Sequence, residues 1–211
     1  MCKVTYRPFD EETDFAKIVT MLGDMWHNEI PEGPVRAAEA GHDFASSYAI
    51  STFSQVAVLD GEPIGVILAR SGQASAAHQE KWNAIADKCL LAEKKLSAQA
   101  YEAYTYELKR TDRIHSNLLD GCNADHNYEA TLLIVSASAR GLGVGAILIS
   151  AVKNYLAGQQ ALSAYLYTDS SCTYTFYDHM GLIREGSHKV KDNPHKIMAD
   201  EYFIYSFDLA S

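Results

Sequence analysis

The sequence lacks the features that mark exported, membrane-spanning or nucleic-acid-binding proteins. Its four cysteines are widely separated and form no C-x-x-C pair, so neither a disulfide framework nor a zinc ribbon is predicted. No run of about eighteen apolar residues is present, and Met1 to Asp10 has no apolar segment typical of a secretion signal. The formal net charge of −9 also lacks the basic excess that phosphate binding requires. We therefore expect a cytoplasmic protein with no membrane or nucleic-acid partner.

The composition is that of an ordinary globular chain. With 211 residues, 47% hydrophobic and 21% charged, the sequence can bury one core and lies far from the disordered range. We therefore predict a single domain over residues 1–211.

Hydrophobic periodicity and turn residues divide this chain into alternating strands and helices. Asp60-Gly61 joins two β-rich runs and predicts a hairpin turn. Residues 28–42 contain Pro and Gly among acidic residues, so a loop or a broken helix over the surface is expected there. The predicted strands are 4–9, 55–59, 63–69, 130–135, 162–168 and 202–209, and the predicted helical segments are 14–27, 76–110, 143–156 and 172–179. This order favours a mixed-sheet α/β protein.

The segment with the clearest chemistry joins an apolar strand to a helix through small residues. Glycines at 141, 143 and 145 let a ligand approach the backbone closely, and the first N–H groups of a helix have no partners within it. The helix dipole is positive at this end, and Arg140 adds a further positive charge. The junction is therefore predicted to bind a phosphate or pyrophosphate.

The junction allows three interpretations. A purely structural turn needs one glycine, not three preceded by an arginine. A dinucleotide fingerprint is formally met by Gly141, Gly143 and Ala146, with Asp169 closing a later strand, but about 65 residues leave too little chain for further parallel strands. A P-loop is excluded, because no Gly-Lys-Ser/Thr follows.

The third interpretation is a family resemblance carried by two motifs in order. Arg140, Gly143 and Gly145 match the R/Q-x-x-G-x-G/A signature of the GNAT N-acetyltransferases, and Phe176, Tyr177 and Gly181 resemble that superfamily's FYxxxGF element. The resemblance implies the GNAT fold: a mixed central sheet of about seven strands flanked by helices. Residues 76–125 then form a helical insertion between strands 3 and 4.

The resemblance also implies a set of site residues and a cosubstrate, acetyl-CoA. Backbone groups of the strand end would pair with the pantetheine arm, and loop N–H groups would hold the pyrophosphate. Tyr177 matches the general acid that protonates the CoA thiolate, and Glu129 matches a glutamate that deprotonates the amine through water in some members. Ser170 stands where the family often has an Asn that contacts the cofactor. The implied cofactor-binding residues are Ile134, Val135, Ser136, Arg140, Gly141, Leu142, Gly143, Val144, Gly145, Ala146, Ser170 and Tyr177.

The activity implied is acetyl transfer to a primary amine by direct attack in a ternary complex, an acyl-CoA-dependent N-acyltransferase reaction. The acidic stretch Glu29 to Asp43 favours a small cationic acceptor over a peptide. A catalytically silent acyl-CoA-binding sensor and a dinucleotide-binding oxidoreductase stay as alternatives. The insertion could cap the acceptor site, extend a homodimer interface or simply pack on the sheet. No metal site is predicted, because the spacing of His115, Cys122 and His126 fits no zinc pattern.

Overall fold

The computed structural model describes residues 3–209, in which helices and strands alternate. Met1, Cys2, Ala210 and Ser211, which the predicted domain 1–211 includes, lie outside the described residues. The strands are β1 Thr5–Arg7, β2 Phe53–Leu59, β3 Glu62–Ser71, β4 Tyr128–Val135, β5 Ser163–Asp169, β6 Ile183–Lys189 and β7 Glu201–Asp208. The helices are α1 Glu11–Trp26, α2 Pro34–Ala49, α3 Ala76–Leu96, α4 Ala98–Asp120, α5 Val144–Gly158 and α6 Thr175–His179, with a short 3-10 turn at Ala137–Ala139.

Within residues 3–209 the strands form one seven-stranded sheet in the order β1-β2-β3-β4-β5-β7-β6. The predicted hairpin turn joins β2 to β3, with φ of 52° at Asp60 and 84° at Gly61, the left-handed values that such a turn requires. All neighbouring strands described are antiparallel except β4 and β5. The sheet is therefore mixed, as expected, and its parallel pair lies at the centre.

Side chains alternate between the two faces of the sheet, and each face is covered by helices. One face packs on α5, which buries Leu148, Val152 and Leu156 against it. The opposite face carries α1, α2 and α3 over the half that contains β2, β3 and β4. On that same face, Ile114 and Leu118 of α4 pack on the half that contains β5 and β7.

The predicted insertion lies between β3 and β4 and consists of two helices. Ser97 separates them: its backbone N–H bonds back to Glu93, and its hydroxyl accepts the N–H of Ala100 at the start of α4. The buried positions of α3 are Trp82, Ala86 and Glu93. Leu96, the last residue of α3, is 50% exposed.

Two elements differ from the sequence-based expectation. Residues 34–42, expected as part of a loop or a broken helix, form the first half of the continuous helix α2, since Pro34 occupies the first helical turn, where its missing N–H costs nothing. Strand β6 was not predicted, because Ile183–Lys189 is a polar edge strand with no alternation of apolar residues.

Candidate functional site

The glycine-rich junction lies where β4 ends and α5 begins. Gly141 and Gly143 have φ of 80° and 70°, left-handed values that side chains rarely adopt. A Cβ added at either position would meet nothing within 4 Å, so packing does not explain these glycines. Arg140 and Leu142 are exposed beside them. The backbone of this loop is therefore accessible to a ligand from outside.

Several amide groups of the junction have no partner in the described structure. Arg140 donates its N–H to Ala137 and Leu142 donates to Ala139, whereas hydrogen bonds from the N–H groups of the remaining loop and first-turn residues from 141 to 146 are absent within residues 3–209. The residues with these unbonded N–H groups are Gly141, Gly143, Val144, Gly145 and Ala146. Gly143 caps α5 without a side-chain hydrogen bond, so no oxygen from the cap competes for them. The group is suited to an anion with several oxygens.

The second motif packs directly against the first. A Cβ at Gly145 would lie 3.2 Å from Cζ of Phe176, so glycine is needed here for close approach of α6. Tyr177, next in α6, is 9% exposed. Burial, with the charges of Cys172 and Asp169 nearby, raises the pKa of the Tyr177 phenol above its ordinary value. The phenol therefore stays protonated at neutral pH and can act as a proton donor.

The central strands β4 and β5 separate beside this junction. Their ladder consists of the single pair Glu129 and Tyr165, after which the strands diverge toward their carboxyl ends. Ser136 donates its N–H to Ile64 of β3, so by the alternation of an antiparallel ladder the backbone groups of Leu133 and Val135 face the gap. The gap thus offers unpaired backbone donors and acceptors along the end of β4.

Glu129 lies at the closed end of this gap in a network of its own. Its carboxylate accepts from Arg70 Nε at 2.7 Å and from the Tyr165 hydroxyl at 3.0 Å, and the residue is 9% exposed. Arg70 also donates to Tyr165 at 2.6 Å. These contacts stabilise the strand pair, and a role as general base would require the carboxylate to leave its guanidinium partner.

Ser170 follows β5 at the open end of the gap. Its hydroxyl accepts the N–H of Glu201 at 3.1 Å, and its own N–H donates to the Glu201 carbonyl at 2.8 Å. Both contacts join β5 to β7, the neighbour on the side away from β4. The hydroxyl oxygen therefore accepts from the β7 side, and its O–H is left to donate to a cofactor.

The sequence-based prediction missed a group of ionisable side chains between α2, α3 and α4. Glu39 and Asp43 belong to the stretch that was assigned to an acidic surface loop, but they lie on α2, and Glu39 is 6% exposed. Glu93 of α3 is fully buried. The acidic composition of residues 29–43 was visible in the sequence. Nothing in the sequence indicated that Glu39 would be buried and Asp43 half-buried against the insertion.

Three further features bear on what the chain can bind. A cavity of about 430 Å³ lies between α1 and the end of β4, with Asp24, Met25 and Ser136 in its lining. Among residues 3–209, no His, Cys, Asp and Glu side chains are grouped so that they could hold a metal ion. No helix in that part of the chain is long and apolar enough to cross a membrane.

Solved structures with this architecture are known. The structure of SsHAT aligns with 99% of this chain and 100% of its own, with a TM-score of 0.63 and 14% identity. An N-acetyltransferase from Staphylococcus aureus Mu50 aligns over 99% of both chains, with a TM-score of 0.55 and 14% identity. An aminoglycoside 6′-acetyltransferase type Ii aligns over 98% of both chains, with a TM-score of 0.56 and 14% identity. No family model and no curated protein sequence matches the chain.

Together, the mixed sheet, the diverging central strands and these likenesses show that the chain has the fold of the GNAT N-acetyltransferases. The resemblance seen in the two sequence motifs is thus confirmed for the fold. An identity of 14% is too low to transfer the role of any residue from these structures to this chain. The cofactor-binding and catalytic positions therefore stay predictions.

Proposed function

We propose that the chain is an acetyl-CoA-dependent N-acetyltransferase that acts on a primary amine of a small, cationic molecule or a peptide. The observation that carries this proposal is the gap between β4 and β5 beside five unbonded N–H groups at the start of α5. An elongated thioester cosubstrate with a pyrophosphate matches both parts. Its pantetheine amides would pair with Leu133 and Val135, and its pyrophosphate would accept from the loop, with Arg140 alongside.

The chemistry follows from the groups along this gap. The neutral amine attacks the acetyl carbonyl, a new C–N bond forms, and the C–S bond to CoA breaks. The backbone N–H of Leu133, which faces the gap at the end of β4, would stabilise the oxyanion that develops. Tyr177 gives its phenolic proton to the departing thiolate, a role that its burial supports. The nitrogen loses one proton as the amide forms, and a proton from solvent restores the phenol. The ion pair of Glu129 with Arg70 makes Glu129 a weaker candidate for the base.

Isothermal titration tests this proposal. Wild type should bind acetyl-CoA, and Arg140→Ala should weaken binding about tenfold because a charged contact to phosphate is lost. Arg113→Ala is the matched control, since Arg113 is exposed on α4. A thiol-release assay over a panel of amines then tests turnover.

The same measurements separate the alternatives. Binding of acetyl-CoA with no thiol release for any amine would support a silent acyl-CoA sensor. Binding of NADH instead would favour an oxidoreductase, although the largely antiparallel sheet does not resemble a dinucleotide-binding sheet. Failure to bind either cosubstrate would refute the proposed function.

A further inference from the structure

The two faces of the gap between β4 and β5 carry different side chains. Tyr177, which protonates the thiolate in the proposed function, packs in the core on the α5 face, and Phe176 packs beside it. Tyr165 and Tyr167 of β5 pack with α4 in the core on the opposite face. Because α5 and α6 cover the first face, we expect the acceptor amine to reach the acetyl carbonyl from the face of α4.

Several polar groups of the α4 face beside the gap bond to one another. Glu129 accepts from Arg70 and from the Tyr165 hydroxyl, and Arg70 also donates to Tyr165. The Tyr167 hydroxyl donates to the backbone carbonyl of His115 at 3.1 Å. The fold therefore holds these groups in place before any acceptor binds.

The imidazole ring of His115, on α4, differs from these groups. It stacks on the Tyr167 ring, with centroids 3.9 Å apart and planes 5° apart, and meets the Tyr202 ring edge-on at 6.0 Å. Within residues 3–209 its ring nitrogens make no hydrogen bond. Burial lowers the pKa of His115 to about 4, so the ring is neutral at neutral pH and one nitrogen keeps a free lone pair. Aromatic contacts thus hold an unused hydrogen-bond acceptor on this face.

The register of the strands places this ring beside the reacting part of the gap. Glu129 and Tyr165 form the pair that closes the gap, and Tyr167 lies two residues beyond Tyr165. Leu133, whose N–H is the proposed oxyanion donor, lies four residues beyond Glu129. The levels of Tyr167 and Leu133 therefore differ by about 7 Å along the strands. The His115 ring, stacked on Tyr167, lies at a level between the closed end of the gap and the acetyl carbonyl.

The proposed reaction needs an acceptor of this kind. The attacking nitrogen must be neutral, and its lone pair must point at the acetyl carbon. A carboxylate would stabilise the charged, unreactive ammonium, whereas a neutral imidazole accepts an N–H hydrogen bond without adding charge. We propose that the imidazole of His115 accepts a hydrogen bond from the attacking amine and holds the nitrogen lone pair toward the acetyl carbon. His115 forms and breaks no covalent bond, so the C–N and C–S bonds and the protons change as in the proposed function, on which this inference rests.

His115→Phe tests the hydrogen-bond acceptor without removing the ring. Phenylalanine keeps the stacking on Tyr167 but has no nitrogen lone pair. Thiol release is measured with acetyl-CoA and with the amine that wild type acetylates fastest in a panel of alkylamines, polyamines and a lysine peptide. His115→Phe should lower kcat by about tenfold or more, because a poorly oriented amine reacts slowly. The Kd of acetyl-CoA and the Tm should stay at their wild-type values, since the ring still packs.

Two isosteric pairs give a second test that does not depend on the ring. His115→Asn and His115→Gln place an amide oxygen near the positions of Nδ1 and Nε2, and His115→Leu and His115→Met are their apolar isosteres. All four variants lose the stacking on Tyr167, so each pair should lose similar stability. In at least one pair, the amide variant should have a kcat about fivefold or more above that of its isostere, because it restores one hydrogen bond.

His188→Phe is the matched control, because β7 separates its strand, β6, from β5 and the gap. It should leave kcat unchanged. A His115→Phe variant with the kcat of wild type, or amide variants no faster than their isosteres, would overturn the inference while the activity of wild type still supports the proposed function. A wild type that binds no acetyl-CoA, or that binds it and releases no thiol with any amine, would instead refute the proposed transferase and this inference with it.

Discussion

Removal of the positive charge from His27 should destabilise the fold strongly and in a pH-dependent way. His27 is the cation shared by Glu39 and Asp43, and its side chain is 12% exposed. Replacement by Gln keeps a polar side chain of similar size but leaves the two carboxylates without a counter-charge. Breaking a buried ion pair from one side costs about 3–5 kcal/mol.

The pKa of His27 gives an independent value for the stability that its positive charge contributes. It rises from 6.5 to about 10 on folding, and each pKa unit corresponds to about 1.4 kcal/mol. The ionised imidazole therefore contributes about 5 kcal/mol at low pH and about 4 kcal/mol at pH 7. Because the folded pKa is the higher one, this stability is fully present below pH 6.5 and is lost as pH rises through about 10.

Urea unfolding followed by tryptophan fluorescence measures the effect at pH 6.5, 8.5 and 10.5. His27→Gln should be less stable than wild type by about 3–5 kcal/mol at pH 6.5 and by less than about 1 kcal/mol at pH 10.5. His179→Gln is the control, since His179 is exposed and should change stability by no more than about 0.5 kcal/mol. A stability difference that is the same at all three pH values would refute the assigned charge state of His27.

Three further changes test other parts of the structure. Trp82→Ala should lower the free energy of unfolding by about 3–5 kcal/mol in urea titrations, because Trp82 is 3% exposed and anchors α3 to α1 and α2. Glu129→Gln should lower stability by about 3 kcal/mol, since it leaves a guanidinium without its carboxylate; a large loss of thiol release with unchanged stability would instead support Glu129 as the base. Gly145→Val should reduce acetyl-CoA affinity at least tenfold in calorimetry, because its Cβ meets the ring of Phe176 at 3.2 Å. Gly158→Val, in the same helix where a Cβ meets nothing within 4 Å, should bind acetyl-CoA like wild type.

The parts of the fold that the sequence predicted well are those with local signals. Asp60-Gly61 needs positive φ angles at both residues, which few residues adopt easily, so the dipeptide itself indicates the hairpin. The glycines of the β4–α5 junction are a local signal of the same kind, because Gly141 and Gly143 also have positive φ angles. Their order with Phe176 and Tyr177 is informative because Phe176 packs on Gly145, so the two motifs are parts of one structure.

The parts that the sequence did not predict depend on contacts between distant elements. Gly41 was interpreted as part of a loop or a helix break, yet it lies in the middle of α2, where a Cβ would be 2.9 Å from Sγ of Cys89. The glycine allows α2 and α3 to approach closely, and nothing in the local sequence indicates that neighbour. The burial of Glu39 and Glu93 was hidden for the same reason, because acidic residues on helices usually face water.

The insertion was expected to cap the acceptor site, to extend a homodimer interface or simply to pack on the sheet. The structure shows which parts of the insertion pack on the sheet. Trp82 and Ala86 of α3 are in the core beneath α1 and α2, and Ile114 and Leu118 of α4 are in the core above β7. Packing therefore accounts for both ends. Between them the insertion buries Glu93 and half-buries Glu107, where apolar residues would stabilise the fold more. The cost at Glu93 is reduced because burial and the hydrogen bond with Glu39 raise its pKa to about 8, so that the carboxyl group is protonated at neutral pH.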